Sequence, residues 1–252
     1  MLKGVLFDLG HTLQEFKSDD WPGIRRVMNS ALYRYIDARG AGQNLPPLDE
    51  FLENLETRSQ AIWDEARTTG RGRSLLSVLP NVFTQYGIEG LTPEECLAPW
   101  YDQRITEWIY VQPDVKPTLE HLRAQGLKLG IVSNTSWPAA AHDSDLEHFG
   151  LIDLLPCRIY SCDFGWEKPD PRIFHAALDC IGLRPEETAF VGDFLQYDVA
   201  GAHGVGMKAI WRRIPTRPAE ADDQTIVPDG VIAQIGELPA LLEKLYNDGS
   251  DQ

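Results

Sequence analysis

The chain has 252 residues, of which 43% are hydrophobic and 24% are charged, as is ordinary for a soluble globular protein. Its formal net charge of −15 argues against nucleic acid as a partner, because a phosphate backbone requires clustered lysine and arginine. Apolar runs are too short for a membrane span, and Asp8 interrupts the N-terminal run too early for a signal peptide. We therefore expect a cytoplasmic protein without a membrane partner, as monomer or homodimer. Its 4 cysteines form no CxxC pair and are expected to be reduced and mostly buried.

The first part of the chain predicts one strand followed by a helical region. Residues 4–8 (GVLFD) are a short apolar run closed by a polar residue, which predicts a buried strand. Between residues 18 and 112 apolar side chains recur at spacings of three and four, which predicts amphipathic helices. Four such helices are expected, around residues 24–35, 48–66, 75–86 and 97–108.

The remainder of the chain alternates between strand and helix patterns. Strands are predicted at 127–134, 157–162, 188–193, 207–211 and 230–235, and helices at 118–126, 171–182, 198–206 and 237–246. This alternation predicts an α/β fold, a Rossmann-like doubly wound parallel sheet covered by helices on both faces. Residues 1–17 and 113–252 would form this core domain, and residues 18–112 an inserted all-helical, four-helix cap domain.

Several predicted strands end in residues that can do chemistry. In chain order these are Asp8, the pair Ser133-Asn134, Lys168 on a loop, and Asp193 with Asp198 close behind. Because ligands of an open α/β sheet bind beyond the carboxyl ends of its strands, we expect these side chains to converge. Crowded carboxylates repel one another, and a divalent cation holds them most easily. Few carboxylates, with room for water and phosphate oxygens, are typical of a Mg²⁺ site.

Four segments in this order resemble the motifs of the haloacid dehalogenase superfamily of hydrolases. They are FDLGHTL (7–13), IVSN (131–134), EKPDPRIF (167–174) and VGDFLQYD (191–198). The chain is similar to the branch of that superfamily with a helical cap inserted after the first motif. The resemblance implies a Mg²⁺-dependent phosphatase that acts on a small phosphorylated metabolite through an aspartyl-phosphate intermediate.

The resemblance also implies a role for each motif residue. Asp8 would be the nucleophile and, with Asp193, Asp198 and the backbone carbonyl of Gly10, would form the metal site. The hydroxyl of Ser133 and the backbone N–H of Asn134 would hold phosphate oxygens. The ammonium of Lys168 would neutralise both Asp8 and the phosphate, and Thr12 would brace the turn after the nucleophile.

The chain departs from the family pattern at Gly10, where phosphatases of this superfamily carry a second aspartate that protonates the leaving alcohol. Glycine keeps the backbone carbonyl for the metal but removes the general acid, worth roughly 10²- to 10⁴-fold in rate. A slower or leaving-group-selective phosphatase remains open. So does a catalytically silent protein that only binds a phosphometabolite.

Two other activities in the superfamily also tolerate a change at this position. The 2-haloacid dehalogenases need no metal, so the retained acids Asp193 and Asp198 disfavour that activity. Phosphonoacetaldehyde hydrolases need a cap lysine, and the chain has no lysine between Lys17 and Lys116. Lys17 is the remaining candidate.

Other residues could replace the acid or contact the substrate. His11 follows Gly10 and titrates in the useful range, although its side chain could face away from the phosphate. Arg71 and Arg73 lie in a glycine-containing cap segment that could clamp an anionic group of the substrate or simply connect two helices. Glu15 and Trp166 stand beside the motifs and could line the entrance.

Overall fold

A computed structural model of the chain describes residues 1–18, 20–101, 105–215 and 225–247. Within these ranges the strands are β1 Gly4–Phe7, β2 Glu15–Phe16, β3 Ile109–Tyr110, β4 Lys128–Ser133, β5 Cys157–Tyr160, β6 Thr188–Gly192, β7 Lys208–Arg212 and β8 Gly230–Ile232. The α-helices are α1 Trp21–Ala38, α2 Leu48–Thr69, α3 Leu79–Tyr86, α4 Pro93–Tyr101, α5 Ile105–Trp108, α6 Val115–Ala124, α7 Ala139–His148, α8 Ser161–Phe164, α9 Pro171–Ile181, α10 Ala200–Gly204 and α11 Leu238–Asn247.

Six strands form one parallel sheet in the order β5-β4-β1-β6-β7-β8. Side chains of a strand alternate between the two faces, so Val5 and Phe7 of β1 join one apolar cluster while Leu6 joins another. Helices α6 and α11 pack on the first face, and α9 and α10 on the second. The predicted α/β, doubly wound parallel fold is therefore confirmed, with β1 at the centre of the sheet.

The helical region has a hydrophobic core of its own, built from α1 to α4 and the 3₁₀ turn Leu75–Val78. Its entry and exit lie side by side, because β2 and β3 pair as a two-stranded antiparallel ribbon. Helix α1 begins where the Asp20 side chain accepts a hydrogen bond from the Gly23 N–H at 3.0 Å. Helix α2 ends at Gly70, whose φ of 68° suits glycine at a helix end.

Several elements differ from the sequence expectations. The fourth predicted cap helix is described as two helices, α4 and α5, and the prediction for residues 102–104 lies outside the described residues. The predicted strand at 230–235 ends at Ile232. Helix α7 was not predicted, and the predicted helix at 198–206 begins earlier, as a π-helical turn from Leu195 to Val199.

The cysteines also differ from expectation. Cys157 of β5 and Cys180 of α9 form a disulfide with Cα atoms 6.0 Å apart, whereas Cys96 and Cys162 are free and buried. The expectation of reduced thiols is therefore wrong for the first pair. Sequence spacing did not signal the pairing, because it depends on the packing of α9 against β5. Among the described helices, none is both long and apolar enough to cross a lipid bilayer.

Candidate active site

Asp8 stands directly after the central strand β1, at the carboxyl edge of the sheet. Its backbone N–H donates to the carbonyl of Val191 at 2.9 Å, which holds Asp8 in line with the neighbouring strand β6. The chain then turns tightly, because the N–H groups of Leu13 and Gln14 both donate to the carbonyl of Leu9 at 2.9 Å. The turn brings the Thr12 hydroxyl to 3.4 Å from Asp8 Oδ2. The Asp8 side chain is buried but borders a cavity.

Lys168 joins two of the carboxylates. Its ammonium Nζ lies 2.6 Å from Asp8 Oδ1 and 2.7 Å from Asp198 Oδ1, and the residue is 4% exposed. Burial alone would lower the pKa of Lys168, but the charges of Asp198 and Asp8 outweigh it and raise that pKa. Burial raises the pKa of Asp8 and of Asp198, and Lys168 opposes both shifts. The ammonium therefore stays charged and compensates buried carboxylates.

Asn134 fixes the backbone of that lysine. Its side-chain Oδ1 accepts from the Lys168 N–H at 2.7 Å, and its Nδ2 donates to the Lys168 carbonyl at 3.0 Å. From the sequence we expected only a backbone contact of Asn134 to phosphate, and the structure adds this positioning role. Ser133, the last residue of β4, is buried and lines the same cavity as Asp8.

The acidic cluster has the composition of a divalent metal site. Carboxylate oxygens of Asp8, Asp193 and Asp198 lie within 4.8 Å of one another. Both oxygens of Asp198 are engaged, one by Lys168 and the other by the Phe194 N–H at 2.9 Å, so this residue suits bracing better than direct ligation. The ammonium of Lys168 contacts two of these three buried carboxylates, and a hard cation suits a cluster of this composition.

Gly192 is required for this arrangement. A Cβ atom at that position would lie 2.3 Å from the Asp198 carboxyl carbon, a separation that real atoms do not adopt. The absent side chain lets the turn that carries Asp198 pack directly on the end of β6.

Gly10 is not held to glycine in the same way. A Cβ atom there would meet only the Phe16 ring, at 3.7 and 3.9 Å, which are ordinary contact distances. Its φ is not positive, whereas His11 has a φ of 54°. The space that an aspartate would occupy is therefore open and bordered by an aromatic ring.

His11 is anchored beside this space. Its Nδ1 lies 3.2 Å from Glu15 Oε2, and its ring packs against Phe16 with centroids 5.0 Å apart. Arg212 of β7 pairs with Glu15 and donates to the His11 carbonyl at 2.8 Å. His11 lines the cavity, and so does Gly10, while Glu15 sits behind them as a partner of Arg212.

A cavity of about 530 Å³ separates the helical region from the sheet. Its core wall includes motif residues together with Gln14, Thr135, Ser136, Trp137, His142 and Asp145. Its opposite wall carries Phe16, Trp21, Ile24, Arg25, Met28, Asn29, Glu56, Ser59, Gln60, Trp63, Arg67, Leu75, Trp100, Tyr101 and Ile109. The candidate phosphate end therefore opens into a chamber walled mainly by rings and aliphatic side chains.

The two predicted cap arginines do not join this wall. The guanidinium of Arg71 lies 3.7 Å from the centre of the Trp166 ring, and Arg73 pairs with Glu65 at 2.8 Å. Arg25 and Arg67 line the cavity instead. The sequence held a signal for Arg25, because helical spacing puts it on the face of α1 that carries Met28 and the other cavity residues.

Glu167 is a further cavity residue that the sequence analysis missed. It is half-buried, and burial raises the pKa of its carboxyl group to about 7. Its backbone N–H donates to the carbonyl of Gly70 at 2.9 Å, which joins the lysine loop to the helical region. The sequence signal that could have identified Glu167 is its position next to Lys168.

Comparisons with known proteins agree with this geometry. The model of the haloacid dehalogenase-like hydrolase family matches residues 2–206. A phosphoserine phosphatase of Thermus thermophilus is 28% identical over 94% of this chain and 98% of its own length. A glyceraldehyde 3-phosphate phosphatase of Methanopyrus kandleri is 36% identical over 57% of this chain, but the match spans only 62% of that protein.

Two solved structures extend the likeness across the whole fold. A HAD phosphatase from Thermococcus onnurineus has a TM-score of 0.62 and 28% identity, over 96% of this chain and 98% of that one. A 2-haloacid dehalogenase from Pseudomonas syringae pv. Tomato DC3000 has a TM-score of 0.63 and 25% identity, over 97% and 99%. The family predicted from the four motifs is confirmed, and the chain belongs to the haloacid dehalogenase-like hydrolases.

Proposed function

We propose that this hydrolase is a Mg²⁺-dependent phosphatase of a small phosphorylated metabolite, acting through an aspartyl-phosphate on Asp8. One observation carries the proposal: the ammonium of Lys168 bridges Asp8 and Asp198, beside Asp193, in the wall of the cavity between the sheet and the helical region. The relatives support it, since those of Thermus thermophilus and Methanopyrus kandleri are named phosphatases. A dehalogenase among the similar structures does not shift the proposal, because the acidic cluster would be repulsive without a cation.

Each residue at the sheet edge has a part in the proposed reaction. A carboxylate oxygen of Asp8 attacks phosphorus, and the leaving oxygen departs on the opposite side. Lys168 offsets charge on Asp8 and on the phosphate, while Ser133 and the N–H of Asn134 hold phosphate oxygens. Thr12 keeps the turn closed behind the nucleophile.

Asp8, Asp193 and the carbonyl of Gly10 would hold Mg²⁺, with Asp198 behind them. The ion, when bound, supplies positive charge next to the phosphate. Water then hydrolyses the aspartyl-phosphate and regenerates Asp8.

The helical region, residues 18–112, would act as a cap that closes the cavity and selects the leaving group. We propose His11 as a substrate contact because it lines the cavity. Arg71 and Arg73 do not line it, so we propose that residues of the cavity wall contact the substrate in their place. We also propose a monomer or homodimer. The sequence predicts a cytoplasmic protein, but the disulfide of Cys157 and Cys180 argues against that compartment, because disulfides are rare there.

The test measures phosphate release from a panel of phosphate esters, with Mg²⁺ and with EDTA. We expect release only with Mg²⁺, restored when the ion is returned, and none from Asp8→Asn. Asp153→Asn, an exposed acid-to-amide change, is the matched control and should keep full activity. Equal release in EDTA would contradict the metal assignment.

A binding measurement separates a phosphatase from a silent binder. Beryllium fluoride with Mg²⁺ mimics a phosphoryl group on Asp8, so it should raise the melting temperature of the wild type but not of Asp8→Asn. A shift in the wild type without any phosphate release would favour the silent binder. An equal shift in both proteins would exclude the aspartyl-phosphate.

A further inference from the structure

The wall of the cavity opposite Asp8 begins with an aromatic ring. Phe16 borders the space beside Gly10, 3.7 Å from where a Cβ atom would stand. Trp21 packs edge-on against Phe16, with ring centroids 4.6 Å apart. Both rings line the cavity that Asp8 borders, so a leaving group in this cavity has ring surface available beside residue 10.

The aromatic residues deeper in the wall have their polar ends engaged by protein. Trp100 Nε1 donates to Asn29 Oδ1 at 2.7 Å, and the hydroxyl of Tyr101 donates to Asp145. What these two residues offer to a ligand is ring surface. Trp63 on α2 adds a third ring, 37% exposed.

The polar residues of the helical wall are engaged in the same manner. Arg25 pairs with Glu56 at 2.8 Å, Arg67 pairs with Asp64, and Gln60 donates to Asp64 at 3.1 Å. These pairs are partly exposed and leave some of their donors and acceptors open, so the wall favours a ring through its large apolar surface rather than by excluding hydroxyl groups.

The core loops add two buried polar atoms to the cavity. Gln14 Nε2 and Ser136 Oγ belong to residues that line it, and neither atom has a hydrogen-bond partner among the described residues. They could serve phosphate oxygens or one or two polar substituents on a ring.

From these contacts we infer that the substrate is a phosphate monoester of an aromatic alcohol, foremost an aryl phosphate. The inference rests on the proposed function and names its substrate class. The cavity of about 530 Å³ lies within the range of pockets that enclose drug-sized ligands. A phosphorylated three-carbon compound would leave much of its apolar wall uncovered.

The reaction of an aryl phosphate at Asp8 agrees with the aromatic lining of the cavity. Asp8 forms a bond to phosphorus, and the bond from phosphorus to the aryl oxygen breaks, with its electron pair going to the aryloxide. An aryloxide is a stable anion and can depart unprotonated, so the carboxyl group absent at Gly10 is not needed. Water then cleaves the aspartyl-phosphate, and the proton that water releases matches the one that the aryloxide takes from solvent.

Four esters separate ring recognition from leaving-group quality. Phenyl phosphate and hexafluoroisopropyl phosphate have leaving groups of similar acidity, with and without a ring. The alkyl esters 2-phenylethyl phosphate and glycerol 1-phosphate differ in the same way. We expect kcat/KM with Mg²⁺ to be highest for phenyl phosphate, and the ring to be worth about tenfold or more within each pair.

Trp63→Ala tests the wall directly, and its partial exposure makes it a mild change for the fold. It should lower kcat/KM about tenfold for the two ring esters and leave the ringless esters unchanged. Tyr35→Ala removes another cap aromatic, which contacts Arg39 and lies outside the cavity wall, and should change none of the four rates.

The outcomes are distinguishable. If none of the four esters is cleaved with Mg²⁺, the proposed function itself fails. If esters are cleaved but glycerol 1-phosphate equals or exceeds 2-phenylethyl phosphate, the aromatic substrate class is overturned and the phosphatase stands. Equal losses for ring and ringless esters in Trp63→Ala would likewise overturn it. Alkyl esters as good as phenyl phosphate, slowed by His11→Ala or Glu167→Gln, would show that a protein acid protonates the leaving group.

Discussion

Restoring a carboxyl group with Gly10→Asp tests what the glycine removes from the site. The substitution fits, because a Cβ atom at residue 10 would make only 3.7 and 3.9 Å contacts with Phe16 and the backbone φ is not positive. The backbone carbonyl stays in place for the metal. Any change in rate can therefore be assigned to the new side chain rather than to a distorted turn.

The expected gain depends on the leaving group. A positioned general acid is worth roughly 10²- to 10⁴-fold, or about 3–5 kcal/mol of barrier. Gly10→Asp should therefore raise kcat/KM for 2-phenylethyl phosphate by up to that factor. It should barely change the rate for p-nitrophenyl phosphate, whose leaving group needs no proton.

Gly10→Asn is the matched control, because it has nearly the same size but no carboxyl proton to give. Steady-state rates on the two esters, with Mg²⁺ at saturation, provide the comparison. The missing-acid account is refuted if the wild type cleaves both esters equally well. It is also refuted if Gly10→Asp, folded to the same melting temperature, leaves the ratio of the two rates unchanged.

Two further predictions concern buried titratable side chains. Lys168→Met should lower the free energy of unfolding in EDTA by about 3–5 kcal/mol, because it leaves the buried carboxylates of Asp8 and Asp198 without their ion-pair partner. Adding Asp198→Asn should recover part of this loss. Denaturant titration measures both changes, and the absence of any recovery would contradict the ion-pair account. Burial lowers the pKa of His142 from 6.5 to about 4, so the native state binds fewer protons than the unfolded state and stability should fall by about 3 kcal/mol as pH drops from 6.5 to 4. His142→Gln should remove that slope relative to wild type, and parallel profiles would contradict the assignment.

The residues at the carboxyl ends of the strands could be predicted because their sequence signals are local. An apolar run that ends in Asp8, and another that ends in Ser133, specify both the strand and the residue that follows it. Parallel pairing then brings the strand ends to one edge, whatever the details of packing. Asp193 follows β6 in the same way, whereas Lys168 stands on a loop and was predicted from its resemblance to the third motif.

Helix α7 escaped prediction because its buried face is partly polar. His142 bonds to Thr135 at 2.7 Å, and Asp145 accepts from Tyr101 of α4. An apolar stripe is what periodicity detects, and a face held by hydrogen bonds to partners 7 and 44 residues away does not produce one. Tyr101 becomes a partner only once the helical region is docked on the sheet.

The residues of the cavity wall could not be predicted from the sequence, for a related reason. Helical periodicity identifies an apolar face but does not say whether that face meets another helix or a ligand. The docking of the two regions decides it, through the Leu75 N–H bonded to the Ser136 carbonyl at 2.8 Å and the close approach of Gly72 to Ser161. The same docking turns Arg71 toward Trp166 and away from the cavity.

Gly10 and Phe16 therefore have to be considered together. A carboxyl group at residue 10 would supply a proton to the leaving group, but its Cβ atom would also stand 3.7 Å from the Phe16 ring, which lines the cavity. Glycine cannot donate this proton, and it places no side chain beside the Phe16 ring. For an alkyl ester this exchange costs rate, because the transition state needs the proton. For an aryl ester it favours binding without slowing departure, so the two consequences of a single glycine select the same class of substrate.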